Sequence, residues 1–370
     1  MRQAGGGFQS ADEHFSLGCT VISVQHSPMT AAPSRKPTIK QVAEAAGVSI
    51  KTVSRVLNNE RYISATLRAR VDEAMHNLAF KPSQAARALA GRRSHQIALI
   101  CDNPSPYYVY EVQAGVRERC MESHVRMIAQ PYDIGAGRVL EDLRDLVDQT
   151  NPDGLILTPP ITDFTEVLSD LRARRLRFVC LSPAIRAPDC SAAFIDNVAA
   201  AREMVNHLTQ FGHRRIGFIA GHPSYATSAQ RHAGYAQGLA QAGIAYDPDI
   251  VIEGQYDFRS GVEGAARLLA LGKRPTAIFA SSDDIAAGAL AMLHQSGVAV
   301  PQDMSVTGFD DTALAEVVWP ALTTIRQPTR AMAYAAADLL LSEGVGVEHR
   351  QIEHRLIIRA SAASPLHPIR

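Results

Sequence analysis

No stretch of this 370-residue chain stays apolar for the roughly 20 residues a membrane-spanning helix needs, so nothing in it reads as a bilayer span. Cysteine is scarce. The five present (Cys19, Cys101, Cys120, Cys180 and Cys190) are scattered with no C-x-x-C pair. That argues against a disulfide framework or a zinc site and for reduced thiols in a cytoplasm. Nor does the start read as a secretory leader: it is barely basic, and the weakly apolar run Phe15 to Val24 is too short and too polar for one. Enzyme signatures are absent. There is no P-loop, no G-x-S-x-G and no G-x-G-x-x-G after the first strand, and the 13 histidines lack metal-ligand spacing. No catalytic residue, metal or cofactor is implied.

Net charge is also absent, but only in the sum. Residues 35–93 hold 12 Lys and Arg against 4 Asp and Glu, whereas residues 94–370 hold 24 against 31. A small basic module on a larger acidic body suits a nucleic-acid reader with a separate sensor. The basic block coincides with the most informative window, Val42 to Asn58. It reads as two short helices joined at Gly47, with Ser49 capping the second. Val42, Ala46, Val48, Val53 and Leu57 can face inward. Ile50, Lys51, Ser54 and Arg55 then share the outer face, a shape that fits a DNA major groove. An ordinary helical hairpin is the plainer alternative. Thr38 with Gln41 fits a capping box ahead of the first helix. Ser64 can cap a third, whose Leu67, Val71, Met75 and Leu78 share a face and can close a three-helix core.

Residues 1–36, with Gly5-Gly6-Gly7 and Ala31-Ala32-Pro33, read as a disordered extension; Met29 is a second candidate start. Residues 37–82 form the helical module. Residues 83–94 form a linker with an alanine-rich helix that is marginal alone. After His95 the texture changes. Apolar runs at Ile97–Cys101, Arg126–Gln130, Gly154–Leu157, Phe178–Leu181, Phe194–Asp196, Ile216–Ala220, Ala277–Ala280 and Ser305–Phe309 read as strands. Helical stretches fall between them, such as Val112–Glu122, Val139–Gln149, Ala199–Gln210, Arg231–Ala242 and Arg259–Ala270. Strands apolar throughout and separated by helices imply parallel sheets covered on both faces. This number of units suggests two doubly wound subdomains. In such sheets ligands bind beyond the carboxyl ends of the strands.

The window V-A-E-A-A-G-V-S-x-x-T-V-S-R-V-L-N, the S-x-x-x-R-x-x-V at Ser64–Val71 and Ala88-Leu89-Ala90-Gly91 resemble the lactose/galactose repressor (LacI/GalR) family. Further matches are Asp102-Asn103-Pro104-Ser105-Pro106-Tyr107-Tyr108, Asp153-Gly154-Leu155-Ile156, Gly212–Gly221, Thr307-Gly308-Phe309-Asp310-Asp311 and Leu322-Thr323-Thr324-Ile325. Their order covers about residues 37–360. The resemblance implies an all-α helix-turn-helix DNA-binding domain. It also implies an α/β periplasmic-binding-protein-like sensor of two doubly wound parallel-sheet subdomains over 95–365. These are roughly 95–190 plus 326–350, and 191–325 plus 351–365, joined by crossovers near Pro183–Asp196, near Thr323–Pro328 and near the C-terminus.

It further implies a homodimer on a pseudo-palindromic double-stranded operator. By position, Ile50, Lys51 and Arg55 would read base edges, Ile50 through apolar contact only. Thr38, Ser49, Ser54, Asn58 and Tyr62 would meet phosphates, although Ser49 can equally serve as a cap alone. Arg87, Ala88 and Leu89 would form the minor-groove hinge, with Leu89 as a wedge; a plain core leucine is the alternative. A small sugar-like effector would sit between the subdomains against Asp102, Tyr107, Tyr108, Arg231, Tyr256, Ser282, Asp283 and Asp310. Each has a simpler role available: Asp283 as a helix cap, Tyr107 and Tyr108 as core, Asp310 as the partner of a cation. Ser105 and Ser182 depart from the family's usual residues.

The function implied is an allosteric regulator, most directly a repressor of carbohydrate-utilisation genes, not an enzyme. The rivals are a transport-type sugar-binding protein, which would need an export signal and no basic module, and a DNA-binding protein without a ligand switch.

Overall fold

A computed structural model describes residues 37–57, 63–80, 93–342, 344 and 346–366. The chain divides into two compact units, one ending at Pro82 and the other starting at Ser83.

Among its described residues the first unit has three helices: α1 Ile39–Ala46, α2 Ile50–Leu57 and α3 Ala65–Asn77. The capping box ahead of α1 is formed. Thr38 Oγ1 accepts from Gln41 N at 3.4 Å, and Gln41 Oε1 accepts from Thr38 N at 2.8 Å. Gly47 ends the helix at φ 61°, a left-handed conformation that glycine adopts without a Cβ penalty. A Cβ there would also meet Arg70 Nη2 at 2.9 Å. That guanidinium braces the turn by donating to Ala46 O at 2.7 Å. Ser64 caps α3 through Leu67 N. The core is Val42, Ala43, Ala46, Val53, Val56, Val71 and Ala74. Val48 and Leu57, expected inside, lie at its margin, and Val56 takes the inner position on α2.

The second unit contains two six-stranded sheets. The first runs β11 (His349–Gln351), β5 (Ser191–Phe194), β4 (Phe178–Leu181), β3 (Leu155–Leu157), β1 (Gln96–Ile100) and β2 (Arg126–Gln130), all parallel. The second runs β12 (Arg355–Ile357), β10 (Thr323–Arg326), β9 (Ser305–Asp310), β8 (Ala277–Ala280), β6 (Ile216–Ile219) and β7 (Val251–Ile252), with only β12 antiparallel to its neighbour.

Alternation along each strand splits its side chains between two cores. Ile97 and Leu99 of β1 join the cluster beneath α4 (Pro106–Glu122) and α12 (Thr329–Leu341). Ala98 and Ile100 join the opposite one, under α5 (Val139–Thr150) and α6 (Thr165–Ala173). In the second sheet Phe218 and Phe279 pack toward α7 (Asn197–Gln210) and α8 (Ala226–Gln241). Ile219 and Ile278 pack toward α9 (Phe258–Leu269) and α10 (Asp283–Gln295). Burial on both faces is why these strands read as apolar throughout. At the start of the unit the Asp153 carboxylate accepts from Ser94 N at 2.7 Å and His95 N at 2.9 Å, fastening the entering chain to the base of β3.

The chain passes between sheets after β5, after β10 and between β11 and β12. Two expectations are corrected. Residues 191–194, assigned to the second subdomain, form β5 inside the first sheet, hydrogen-bonded between β4 and β11. The strand expected at Phe194–Asp196 ends at Phe194 because the Asp196 carboxylate caps α7 instead, accepting from Ala199 N at 2.9 Å. The extension at residues 1–36 and most of the linker at 83–94 lie outside the described residues.

Candidate functional site

Helix α2 presents its outer face through side chains that the inward positions dictate. Val53 and Val56 point into the core, which leaves Ile50 and Lys51 exposed and Ser54 and Arg55 partly so. Ile50 is 48% exposed, one of several large apolar side chains on the surface. Ser49 behaves as a cap: its Oγ accepts from Thr52 N at 3.1 Å and lies 2.9 Å from Thr52 Oγ1. The Thr38 hydroxyl is likewise engaged in its capping box. Asn58, Tyr62, Arg87, Ala88 and Leu89 lie outside the described residues.

In the second unit a small cavity of about 30 Å³ lies between the two sheets at their carboxyl ends. The first lobe contributes Asn103, Ser105 and Tyr108 from the β1–α4 segment, Pro159 after β3 and Ser182 after β4. The second contributes Tyr225, Thr227, Arg231, Tyr256, Ser282 and Asp310, with Gln327 from the crossover after β10. Five of the eight expected effector residues therefore meet around one space: Tyr108, Arg231, Tyr256, Ser282 and Asp310.

The other three do not. Tyr107 lines an adjoining groove that shares Tyr108, Asp310 and Gln327 with the cleft and also takes in Glu111, Arg330 and Tyr334. Asp102 is partly exposed near the cleft margin and is absent from its lining. Asp283 is fully buried behind the wall. Its carboxylate accepts from Thr312 N at 2.7 Å and from the hydroxyls of Thr324 at 2.6 Å and Thr312 at 3.2 Å. Nor does it cap α10; Ser282 does, through Ile285 N at 3.2 Å. With its acceptors filled from inside the lobe, Asp283 holds β9 and β10 to α10 and has no route to the cavity.

Arg231 is the centre of the second lobe's wall. It is 4% exposed. Its Nε donates to Asn197 Oδ1 at 3.1 Å and its Nη1 to Ser281 O at 2.5 Å. Its Nη2 lies 3.3 Å from Gln327 Oε1 and 3.4 Å from Asp310 Oδ1. Its guanidinium carbon lies 3.6 Å from the centre of the Phe309 ring and 5.7 Å from that of Tyr256. A planar cation held this way is aimed, not mobile. Asp310 opposes it. Burial pushes the Asp310 carboxyl up to about 7, and Arg231 pulls the other way. Its backbone stands at φ 108° and that of Asp311 at φ 53°, two successive non-glycine residues with positive φ. Such strain persists only where the surroundings impose it. Arg326 and Arg359 clamp the Asp311 carboxylate at 2.6 and 2.7 Å.

The tyrosines form the apolar walls. Tyr225 and Tyr256 meet edge to face at 5.4 Å, and Tyr256 Oη lies 3.3 Å from Thr227 Oγ1. Tyr256 fits because residue 221 is glycine; a Cβ there would fall inside its ring. Across the cleft Ser105 Oγ donates to Asp284 Oδ2 at 2.6 Å, a buried hydrogen bond between the lobes. One guanidinium, one carboxyl, several hydroxyls and amides, and three phenol rings make a site for a small polar molecule with an apolar face.

Asn103, Pro159, Tyr225, Thr227 and Gln327 were not picked out from the sequence, and Ser105 was noted only as a departure from the family pattern. Asn103 and Ser105 lie in the family-like D-N-P-S loop and were legible there. Gln327 directly follows the L-T-T-I-R stretch. Tyr225 and Thr227 carry no local signal, since they reach the cavity only through the packing of α8.

A model of bacterial regulatory proteins of the lacI family matches residues 38–83, and one of the periplasmic binding protein-like domain matches residues 205–362. The transcriptional regulator DegA of Bacillus subtilis is 34% identical over 80% of this chain and 88% of its own. The ribose operon repressor of Haemophilus influenzae is 32% identical over 82% and 91%. Among solved structures, the lac repressor dimer bound to operator and the anti-inducer ONPF superposes with a TM-score of 0.76 at 27% identity, covering 89% of this chain and 100% of that one. The regulator CelR in complex with cellobiose gives 0.67 at 29%, covering 88% and 100%. No helix among the described residues is long and apolar enough to cross a membrane. With matches along most of both sequences, the chain belongs to the LacI family of bacterial regulatory proteins.

Proposed function

We propose that this protein is a cytoplasmic, homodimeric transcriptional repressor of carbohydrate-utilisation genes. In this reading its operator affinity is set by a small sugar-like effector in the cleft, and it performs no catalysis. The observation that carries the reading is the cleft itself, where Arg231 and Asp310 face a space walled by Tyr108, Tyr225 and Tyr256. Adjacent sugar hydroxyls suit paired donors and acceptors, and the C–H face of the ring suits an aromatic wall. The effector-facing set is then Tyr108, Arg231, Tyr256, Ser282 and Asp310, joined by Tyr225 and Gln327.

At the other end, Lys51 and Arg55 supply the long donors for guanine O6 and N7, and Ile50 an apolar contact for a thymine methyl. Ser54, Asn58 and Tyr62 are assigned to phosphates, with Thr38 and Ser49 serving first as caps. The hinge assignment of Arg87, Ala88 and Leu89 enters through the family resemblance alone.

The test is a thermal-shift screen of pentoses, hexoses, uronates and nucleosides, followed by operator binding with and without each hit. Arg231→Ala should keep operator affinity and lose the ligand response. A normal response in that variant rejects the cleft assignment.

A further inference from the structure

Two of the four cysteines in the described residues lie together. Cys180 Sγ and Cys190 Sγ are 3.6 Å apart. Cys180 sits in β4, and Cys190 stands two residues ahead of Ala192, its register partner on β5. Alternation therefore puts both thiols on one face, and both join the same core cluster. The segment between them is a loop with two different ends. Ser182, at φ 45°, lines the effector cleft. Residues 184–186 and 188–189 are exposed. The loop is held by Ala184 N donating to Asp163 Oδ1 at 2.7 Å, and by His349 Nε2 lying 3.1 and 3.0 Å from the carbonyls of Ala187 and Cys190.

We propose that Cys180 and Cys190 are an oxidant-formed disulfide site, closed reversibly by a hydroperoxide at the base of the loop that carries Ser182. The sulfurs must approach from 3.6 Å to about 2.05 Å, a shift within reach of side-chain rotation at a strand end. The two are not equivalent. Cys180 lies within β4, whereas Cys190 adjoins the exposed residues 188–189, so Cys190 is the sulfur an entering oxidant meets first.

Its thiolate attacks one peroxide oxygen. The O–O bond breaks, a sulfenic acid forms and the alkoxide leaves to take a proton as the alcohol. The Cys180 sulfur then attacks the sulfenic sulfur. The S–S bond forms as S–O breaks, and the departing hydroxide takes the Cys180 proton as water. Two thiols and one hydroperoxide thus give one disulfide, one alcohol and one water, with two electrons passing to the peroxide. Transient opening of the exposed loop gives the oxidant entry.

Trypsin separates the pair, since Arg186 lies between them; Cys180 falls in residues 178–186 and Cys190 in residues 187–202. The full-length protein is treated with a limited dose of hydrogen peroxide, then denatured, alkylated without reductant, digested and analysed by mass spectrometry. The expected result is one linked species, lighter than the two peptides' sum by two hydrogens and released by dithiothreitol. It should form roughly tenfold faster than the alkylatable fraction of Cys101 or Cys120 falls, since burial pushes both of those thiols up to about 11. In Cys180→Ser, Cys190 should stall as a sulfenic acid that dimedone captures. Recovery of both peptides fully alkylated, or conversion of Cys190 to the sulfinic acid with Cys180 present, overturns the proposal. Absence of the dimedone adduct in the variant overturns it as well.

Discussion

Asp310 carries two local costs, a positive-φ backbone and a buried carboxyl, and both point inward to the cleft. The second gives a pH prediction with a definite sign. The carboxyl holds its proton up to about 7 in the folded chain against an ordinary 3.8. The folded state therefore binds more protons than the unfolded one between those values. Stability must fall as pH rises through that window, by at most about 1.4 kcal/mol per pH unit from this group. Asp310→Asn removes the titration, so the wild-type melting temperature should decline relative to the variant's between pH 4 and 7. Asp283 and Asp284 are raised in the same direction by burial and remain in both proteins; because the Asp310 charge also raises Asp283, the difference between the proteins reports Asp310 together with its coupling to Asp283. Parallel melting curves across the range would show that Arg231 keeps the carboxylate ionised and that burial does not dominate.

Among the elements, α1 shows how much a short helix depends on its ends. With eight residues it cannot persist alone, and its first turn has no acidic side chain to offset the exposed N–H groups. The Thr38–Gln41 box supplies that satisfaction, so Thr38→Ala should cost about 1 kcal/mol in denaturant unfolding of the first unit. A loss indistinguishable from zero would assign α1 to core packing alone. The same elements show what a reader of the sequence can and cannot see. The box, Gly47 and the Ser49 and Ser64 caps were legible because each is a local pattern with one geometric solution. Strands β1, β3, β4, β6, β8 and β9 were legible because burial on both faces leaves an apolar run, and β2, a partly exposed edge strand, from its shorter apolar centre Met127–Ala129. Strand β5 was misplaced because Ser-Ala-Ala-Phe carries no β-branched residue, and β7, β11 and β12, at two or three residues, are too short for any period. In the cleft, Asp310 stands in the family-like Thr307–Asp311 stretch, and Arg231 follows from the resemblance by position. Asp283 was assigned the same way, yet Thr312 and Thr324 turn its carboxylate away, and only the packed structure shows that.

At the scale of the whole sensor, an effector can act only through a difference between two arrangements of the lobes. Gln327 gives that difference a path. It lies on the crossover after β10, lines the cavity and faces both Arg231 and Asp310 at 3.3 to 3.5 Å. A molecule that rearranges that trio therefore touches a connection between the lobes directly. The closed arrangement is held in part by Ser105 Oγ donating to Asp284, and burial pushes that carboxyl up even with the donor in place. Ser105→Ala leaves the carboxyl under-satisfied in the closed form only, a penalty of about 1–3 kcal/mol. The open fraction should then rise by roughly 5- to 150-fold relative to the closed one. Small-angle scattering on the dimer should report a larger radius of gyration for Ser105→Ala, with a saturating effector restoring the compact value at reduced apparent affinity. Identical scattering and identical ligand affinity in wild type and variant would mean that the crossovers alone set the closure angle. The Ser105–Asp284 contact would then be a consequence of closure and not one of its causes.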